Sequence, residues 1–100
     1  MAGRNGPGYN FLVAQVSANL RVTVLFFGRM RDLTGVIEEA LELPAGSTLA
    51  DAFAHYSVRF PQLGAFRSSL VASRNEEFAP WDTPLADDDT IAFLPPVSGG

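Results

Sequence analysis

An α+β sandwich, one sheet with a single main helix across one face, is the fold class this 100-residue chain predicts. Three observations predict it. Strand patterns at Leu20–Phe27 and Val36–Leu43 lie close enough to pair as a hairpin. A helical pattern with a clear start signal follows at residue 48. Short strand patterns then return, the last at Thr90–Leu94. A hairpin, a crossing helix and returning strands leave one sheet with one helix packed on it.

The elements follow in order. Gly3, Gly6, Pro7 and Gly8 oppose regular structure, so residues 1–19 read as a flexible extension before the domain. In Leu20–Phe27, Val22, Val24 and Phe26 fall on one face, and Thr23, Leu25 and Phe27 on the other. Both faces are largely apolar, which suits a central strand. Gly28 ends it. Arg29–Thr34 reads as a short turn closed by Gly35. Val36–Leu43 is a second strand, with Leu41 and Leu43 inward, broken by Pro44-Ala45-Gly46. Thr48 followed by Asp51 forms a helix-start box. Leu49, Ala52, Phe53, Tyr56 and Phe60 then recur at helical spacing until Pro61 stops the helix. Leu63–Ser68 is a short link, Ser69–Ser73 a strand, Arg74–Glu76 a turn and Glu77–Ala79 a brief extended piece. Asp82–Leu85 is loop and Asp87–Asp89 a turn. The last strand turns Ile91 and Phe93 inward. Residues 20–94 are thus one domain, and 95–100 a tail.

Composition narrows the chemistry. Hydrophobic residues make up 47 % and charged residues 18 %, which suits a packed globule rather than a disordered chain. A net charge of -4 argues against nucleic acid and anionic membrane as partners. No apolar run approaches the roughly 20 residues of a membrane-spanning helix. Near the N-terminus, Asn10 and Gln15 confine the apolar stretch to Phe11–Ala14, well short of the about 7 to 15 residues of a signal peptide. With no cysteine, disulfides, thiolate metal sites and cysteine nucleophiles are excluded, and a reducing, cytoplasmic setting fits. All seven basic residues are arginine. Codon usage accounts for the missing lysine on its own. A chain carrying an activated acyl group would also benefit from lacking amines that could capture it.

Ordinary catalytic constellations are missing. His55 is the only histidine and has no nucleophile partner. Asp87-Asp88-Asp89 lacks the spaced ligand series of a cation site, and no metal is expected. Glu38-Glu39 and Glu76-Glu77 read as solvated charges, and no glycine-rich phosphate loop is present.

The C-terminus is different. Pro95 and Pro96 favour an extended chain and donate no backbone hydrogen bond. Val97 and Ser98 are slim, and Gly99 and Gly100 carry no side chain. Six extended residues reach roughly 20 Å. Such an arm can thread a tunnel in another protein and present its terminal carboxylate there. A partner could adenylate Gly100 with ATP, and a sulfur nucleophile could displace AMP to leave a thiocarboxylate.

These residues carry a resemblance. DDDTIAFLPPVSGG at the end, VTVLFFGRMRDLTG in the first strand and turn, and WDTPLADDD before the last strand resemble the small subunit of molybdopterin synthase, in the MoaD/ThiS sulfur-carrier family. The likeness covers residues 21–100. It implies a β-grasp, ubiquitin-like fold: a mixed sheet on one main helix with a flexible C-terminal tail. It implies a ubiquitin-activating-type adenylyltransferase that spends ATP on Gly100, a sulfurtransferase, and a large synthase subunit that receives the tail in a heterotetramer. No cofactor would be bound by the chain itself. The family's apolar partner surface maps to Phe27, Phe78 and Leu94, with Arg31 in the adjoining turn facing an acidic partner group. Asp88 stands where the family often has glycine, and Arg74 where it tends to be apolar. Sulfur carriers for thiamin, cysteine or tRNA thiolation share the fold and the Gly-Gly end, as do ubiquitin-like protein modifiers. A binding module with a passive tail is the reading from another class.

Overall fold

The computed structural model describes residues 19–95. In chain order these form β1 (Asn19–Phe26), α1 (Gly28–Thr34), β2 (Glu38–Pro44), α2 (Leu49–Arg59), α3 (Pro61–Gly64), a 3-10 turn (Arg67–Ser69), β3 (Val71–Arg74), β4 (Glu77–Ala79) and β5 (Thr90–Leu94). The strands make one sheet in the order β2-β1-β5-β3-β4. β1 and β5 run parallel, and every other neighbouring pair is antiparallel. This mixed sheet with a crossing helix is the β-grasp arrangement. The residues of the N-terminal extension up to 18, and Pro96, Val97, Ser98, Gly99 and Gly100 of the tail, lie outside the described residues.

Alternation along β1 sends Val22, Val24 and Phe26 into the core, where they meet Leu41 and Leu43 of β2 and Ile91 and Phe93 of β5. α2 covers this face with Leu49, Ala52, Phe53 and Tyr56, four of the five residues its helical spacing predicts; the fifth, Phe60, is the C-cap and packs half-buried against the core. The Phe26 and Tyr56 rings meet edge-on at 5.0 Å, and Phe53 meets Phe93 at 5.2 Å. Each such pair contributes roughly 0.5–1.5 kcal/mol beyond burial.

α2 starts as predicted. The Asp51 N–H donates to Thr48 Oγ1 at 3.2 Å, and the Asp51 carboxylate accepts the Thr48 N–H at 2.9 Å. The loop before β5 satisfies two more free donors at this end: Leu49 N–H donates to the Thr83 carbonyl and Ala50 N–H to that of Trp81. Pro61 ends α2 and opens α3 at its first position, where a missing N–H costs nothing.

Four readings change. Arg29–Thr34 lies in a helix rather than a turn: Met30 and Thr34 are buried and Leu33 half-buried, one inward stripe at i, i+3, i+4. Gly35 then takes φ 72° and donates its N–H to the Arg31 carbonyl at 2.8 Å. β2 begins at Glu38 rather than Val36, because the Val36 N–H is taken by Thr34 Oγ1. β3 begins at Val71 rather than Ser69, because Arg67–Ser69 is wound into the 3-10 turn, and it extends to Arg74. Glu39 is not simply solvated: it pairs with Arg59 and accepts a hydrogen bond from Tyr56 Oη at 2.8 Å. The Arg59 hydrogen bond holds the Glu39 carboxyl below its usual range. Burial, and then the Glu39 contact, push the Tyr56 phenol up.

Candidate functional site

The face of the sheet turned away from α2 carries the site. Residues directly opposite in neighbouring strands share a face. Leu25 stands opposite Ala92, Ala92 opposite Ser73, Ser73 opposite Phe78, and Val71 opposite Leu94. Phe27 continues the alternation of β1 in extended conformation, just past its last paired residue. Gly28 then takes φ 55°, a turn that other residues adopt at a cost, and the chain swings into α1. The Phe27 ring is left on the outer face.

The result is an open cavity of about 250 Å³ whose lining includes Leu25, Phe27, Glu76, Phe78, Ala92 and Leu94. Phe27 is 45 % exposed and Phe78 66 % exposed, so two aromatic rings stand in water beside an apolar floor. Phe78 is set there by a two-residue hairpin turn: Asn75 (φ 52°) and Glu76 (φ 73°) are both left-handed, the type I′ geometry that matches strand twist. Three residues singled out from sequence, Phe27, Phe78 and Leu94, therefore line one cavity. Arg31 does not. It is exposed on α1, one turn beyond Phe27, with its N–H 3.4 Å from the Phe27 carbonyl. Among the described residues it joins no ion pair.

β5 brings Pro95, the first residue of the predicted tail, to the edge of this cavity. Its last rung pairs Leu94 with Val71, and Pro95, exposed, is the last described residue. Proline has no N–H with which to continue the ladder. The predicted arm thus departs from the rim of the apolar patch.

An acidic turn fixes the start of β5. Asp89 is buried, and its carboxylate accepts hydrogen bonds from Arg74 Nε at 2.6 Å, Ala86 N–H at 2.8 Å and Asn75 Nδ2 at 3.0 Å. Burial pushes this carboxyl up, but the three donors outweigh it and hold Asp89 below its usual range. Asn75 Oδ1 accepts the Thr90 N–H at 2.9 Å. Arg21 of β1 is tied in too: its N–H donates to the Asp87 carboxylate and its carbonyl accepts from Asp88 N–H, both at 2.8 Å. Asp88 has φ 70°, a left-handed conformation that glycine adopts without strain and aspartate tolerates. Arg74 is polar at this position because Asp89 is its partner.

Sequence reasoning passed over Leu25, Glu76 and Asp89. Alternation along β1 was signal enough for Leu25. Glu76 had a weaker one, since it follows asparagine at a tight turn where glycine is usual. His55 is exposed, and its ring meets Tyr56 edge-on at 5.0 Å. Among the described residues no group of three His, Cys, Asp or Glu side chains is gathered for a metal, and no helix is long and apolar enough to cross a membrane.

Comparison with known proteins bears on the whole of this surface. The ThiS family matches residues 24–100. The molybdopterin synthase sulfur carrier subunit of Arabidopsis thaliana is 36 % identical over 84 residues, spanning 84 % of this chain and 88 % of that protein. Subunit 1 of a molybdopterin converting factor from Pyrococcus furiosus superposes with a TM-score of 0.69 at 29 % identity, covering 78 % of this chain and 99 % of that one. A solved complex of subunits 1 and 2 of the molybdopterin-converting factor from Helicobacter pylori contains a chain 28 % identical, with a TM-score of 0.54, over 81 % of this chain and all of that one.

Proposed function

The chain belongs to the ThiS family, and on that premise we propose that it is the sulfur-carrying small subunit of a molybdopterin synthase. The observation that carries the reading is the reach of the similarity. It extends from β1 through the outer face to residue 100, so the apolar cavity and the Gly99-Gly100 end fall within one matched region. A relative named for this role aligns over most of both chains.

The chemistry is divided between the chain and its partners. A free carboxylate is a poor acyl donor. An adenylyltransferase of the ubiquitin-activating type joins the Gly100 carboxylate to the α-phosphate of ATP and releases pyrophosphate. A sulfur nucleophile supplied by a sulfurtransferase then attacks the carbonyl, and AMP leaves. Gly100 ends as a thiocarboxylate. The chain binds no cofactor; ATP belongs to the activating partner. The setting is the cytoplasm.

Within this scheme the globule is a handle. Phe27, Phe78 and Leu94 dock on the large synthase subunit, Arg31 meets an acidic group at the margin, and Pro95, Pro96, Val97 and Ser98 extend Gly99 and Gly100 into the active site. The Helicobacter pylori complex of the two subunits supports the large subunit as partner. Glycine at the last two positions lets the carbonyl approach the receiving pocket without steric shield.

The test is intact mass after incubation with ATP, the activating enzyme and a sulfur source. A gain of about 16 Da, oxygen exchanged for sulfur at the terminal carboxylate, is expected. No gain in the presence of an active adenylyltransferase would sink the reading. Recovery of Gly-Gly remnants on target lysines in its place would assign the chain as a protein modifier.

A further inference from the structure

We propose that Glu76 selects the partner: its carboxylate forms an ion pair with an arginine or lysine of the large synthase subunit, at the rim of the apolar cavity. This rests on the sulfur-carrier reading above and adds to it the sign of charge the docking partner must carry.

Three observations point the same way. First, Glu76 holds a backbone conformation that does not suit it. At φ 73° it occupies the second central position of a type I′ turn, where glycine fits without strain. Among the described residues the other two non-glycine residues with positive φ, Asn75 and Asp88, are short polar types that tolerate this region. Glutamate is not, and a strained residue kept at a binding surface marks a role outside the fold.

Second, Glu76 lines the cavity that Phe27, Phe78 and Leu94 line. It is exposed, and among the described residues it joins neither ion pair. Its neighbours in the turn are differently employed: Arg74 and Asn75 both hold Asp89.

Third, the apolar floor is bounded by acid on two sides. Glu38 of β2 stands opposite Leu25 at one margin, and Glu76 sits at the other. Glu42 has a basic residue, Arg21, directly across from it in the register of β1 and β2, and Glu38 and Glu76 have none. Glu38 and Glu76 are left to face whatever lands on the floor. A partner covering this face desolvates them at its rim and must bring positive charge to do so without penalty.

The test is the affinity of the full chain for the purified large subunit, measured at about 50 mM and about 500 mM salt, where screening differs severalfold. Glu76→Gln keeps the length of the side chain and removes its charge. It is expected to weaken binding about fivefold to tenfold at low salt, with the difference nearly gone at high salt. Glu76→Gly also relieves the turn, so it is expected to bind as weakly as Glu76→Gln while melting higher. Glu76→Lys is expected to weaken binding by about 30-fold or more. Unchanged affinity of Glu76→Gln at low salt overturns the proposal, and so does a loss confined to the activating enzyme. Failure of the carrier reading looks different: the unsubstituted chain would then not bind the large subunit, or Gly100 would never become thiolated.

Discussion

Asp89 accepts three hydrogen bonds from two separate segments, the Arg74-Asn75 corner and Ala86, while it is almost shut off from water. Replacing it by asparagine removes the charge that Arg74 answers and leaves a donor where acceptors are needed. Asp89→Asn is expected to destabilise the fold by about 2–3 kcal/mol in denaturant unfolding. The pH dependence follows. Asp89 and Glu39 both ionise below their usual ranges in the folded chain, so the unfolded chain binds more protons in acid. Their contribution is complete above the unfolded values near 4 and is lost as pH falls through the folded ones. Stability of the parent should therefore drop below about pH 4, and Asp89→Asn should flatten that drop. Glu76→Gly is expected to change stability the other way, by about 1 kcal/mol, because it removes left-handed strain. Phe27, Phe78 and Leu94 were legible through the family resemblance, with alternation placing Phe27 and Leu94 on the face opposite Phe26 and Phe93. Asp89 was not: three adjacent aspartates look alike until the fold brings Arg74 and Asn75 to one of them.

α1 and α2 show what makes an element readable. α2 carries its own start signal and three turns of inward apolar residues, and both survive intact in the structure. Thr48→Ala should cost about 1 kcal/mol, since it removes the acceptor for the Asp51 N–H. α1 has seven residues, less than two turns of stripe, and no side-chain cap at its start. Its stability comes from packing Met30 and Thr34, which periodicity over so short a stretch does not reveal. The left-handed Gly35 that closes it has no atom within 4 Å of where a Cβ would stand. Gly35→Ala is therefore expected to cost about 1 kcal/mol from backbone strain alone, without clash. A melting curve reports both substitutions. The edges of β2 and β3 were misplaced for a related reason: side chains and a 3-10 turn captured backbone groups that a strand pattern alone assigns to the ladder.

Across the whole molecule, the parallel pairing of β1 with β5 sets the outer patch beside the departure point of the tail. Hairpin, helix and final strand were each visible as periodicities, so the fold class was too. Strand order was not, because parallel pairing joins residues far apart in the chain and carries no turn signal of its own. Two losses should separate cleanly. Removing Gly100 is expected to abolish sulfur transfer and leave the melting temperature unchanged. Phe27→Asp is expected to keep the fold, since that ring is 45 % exposed, and to weaken large-subunit binding by about tenfold or more, as a titration would show. β5 has one further consequence, a mechanical one. It is flanked by β1 on one side and β3 on the other. A pull on the last residues, as when a product complex separates, loads two ladders in shear together instead of peeling a border strand rung by rung. The body can be drawn back by its own thread without unravelling.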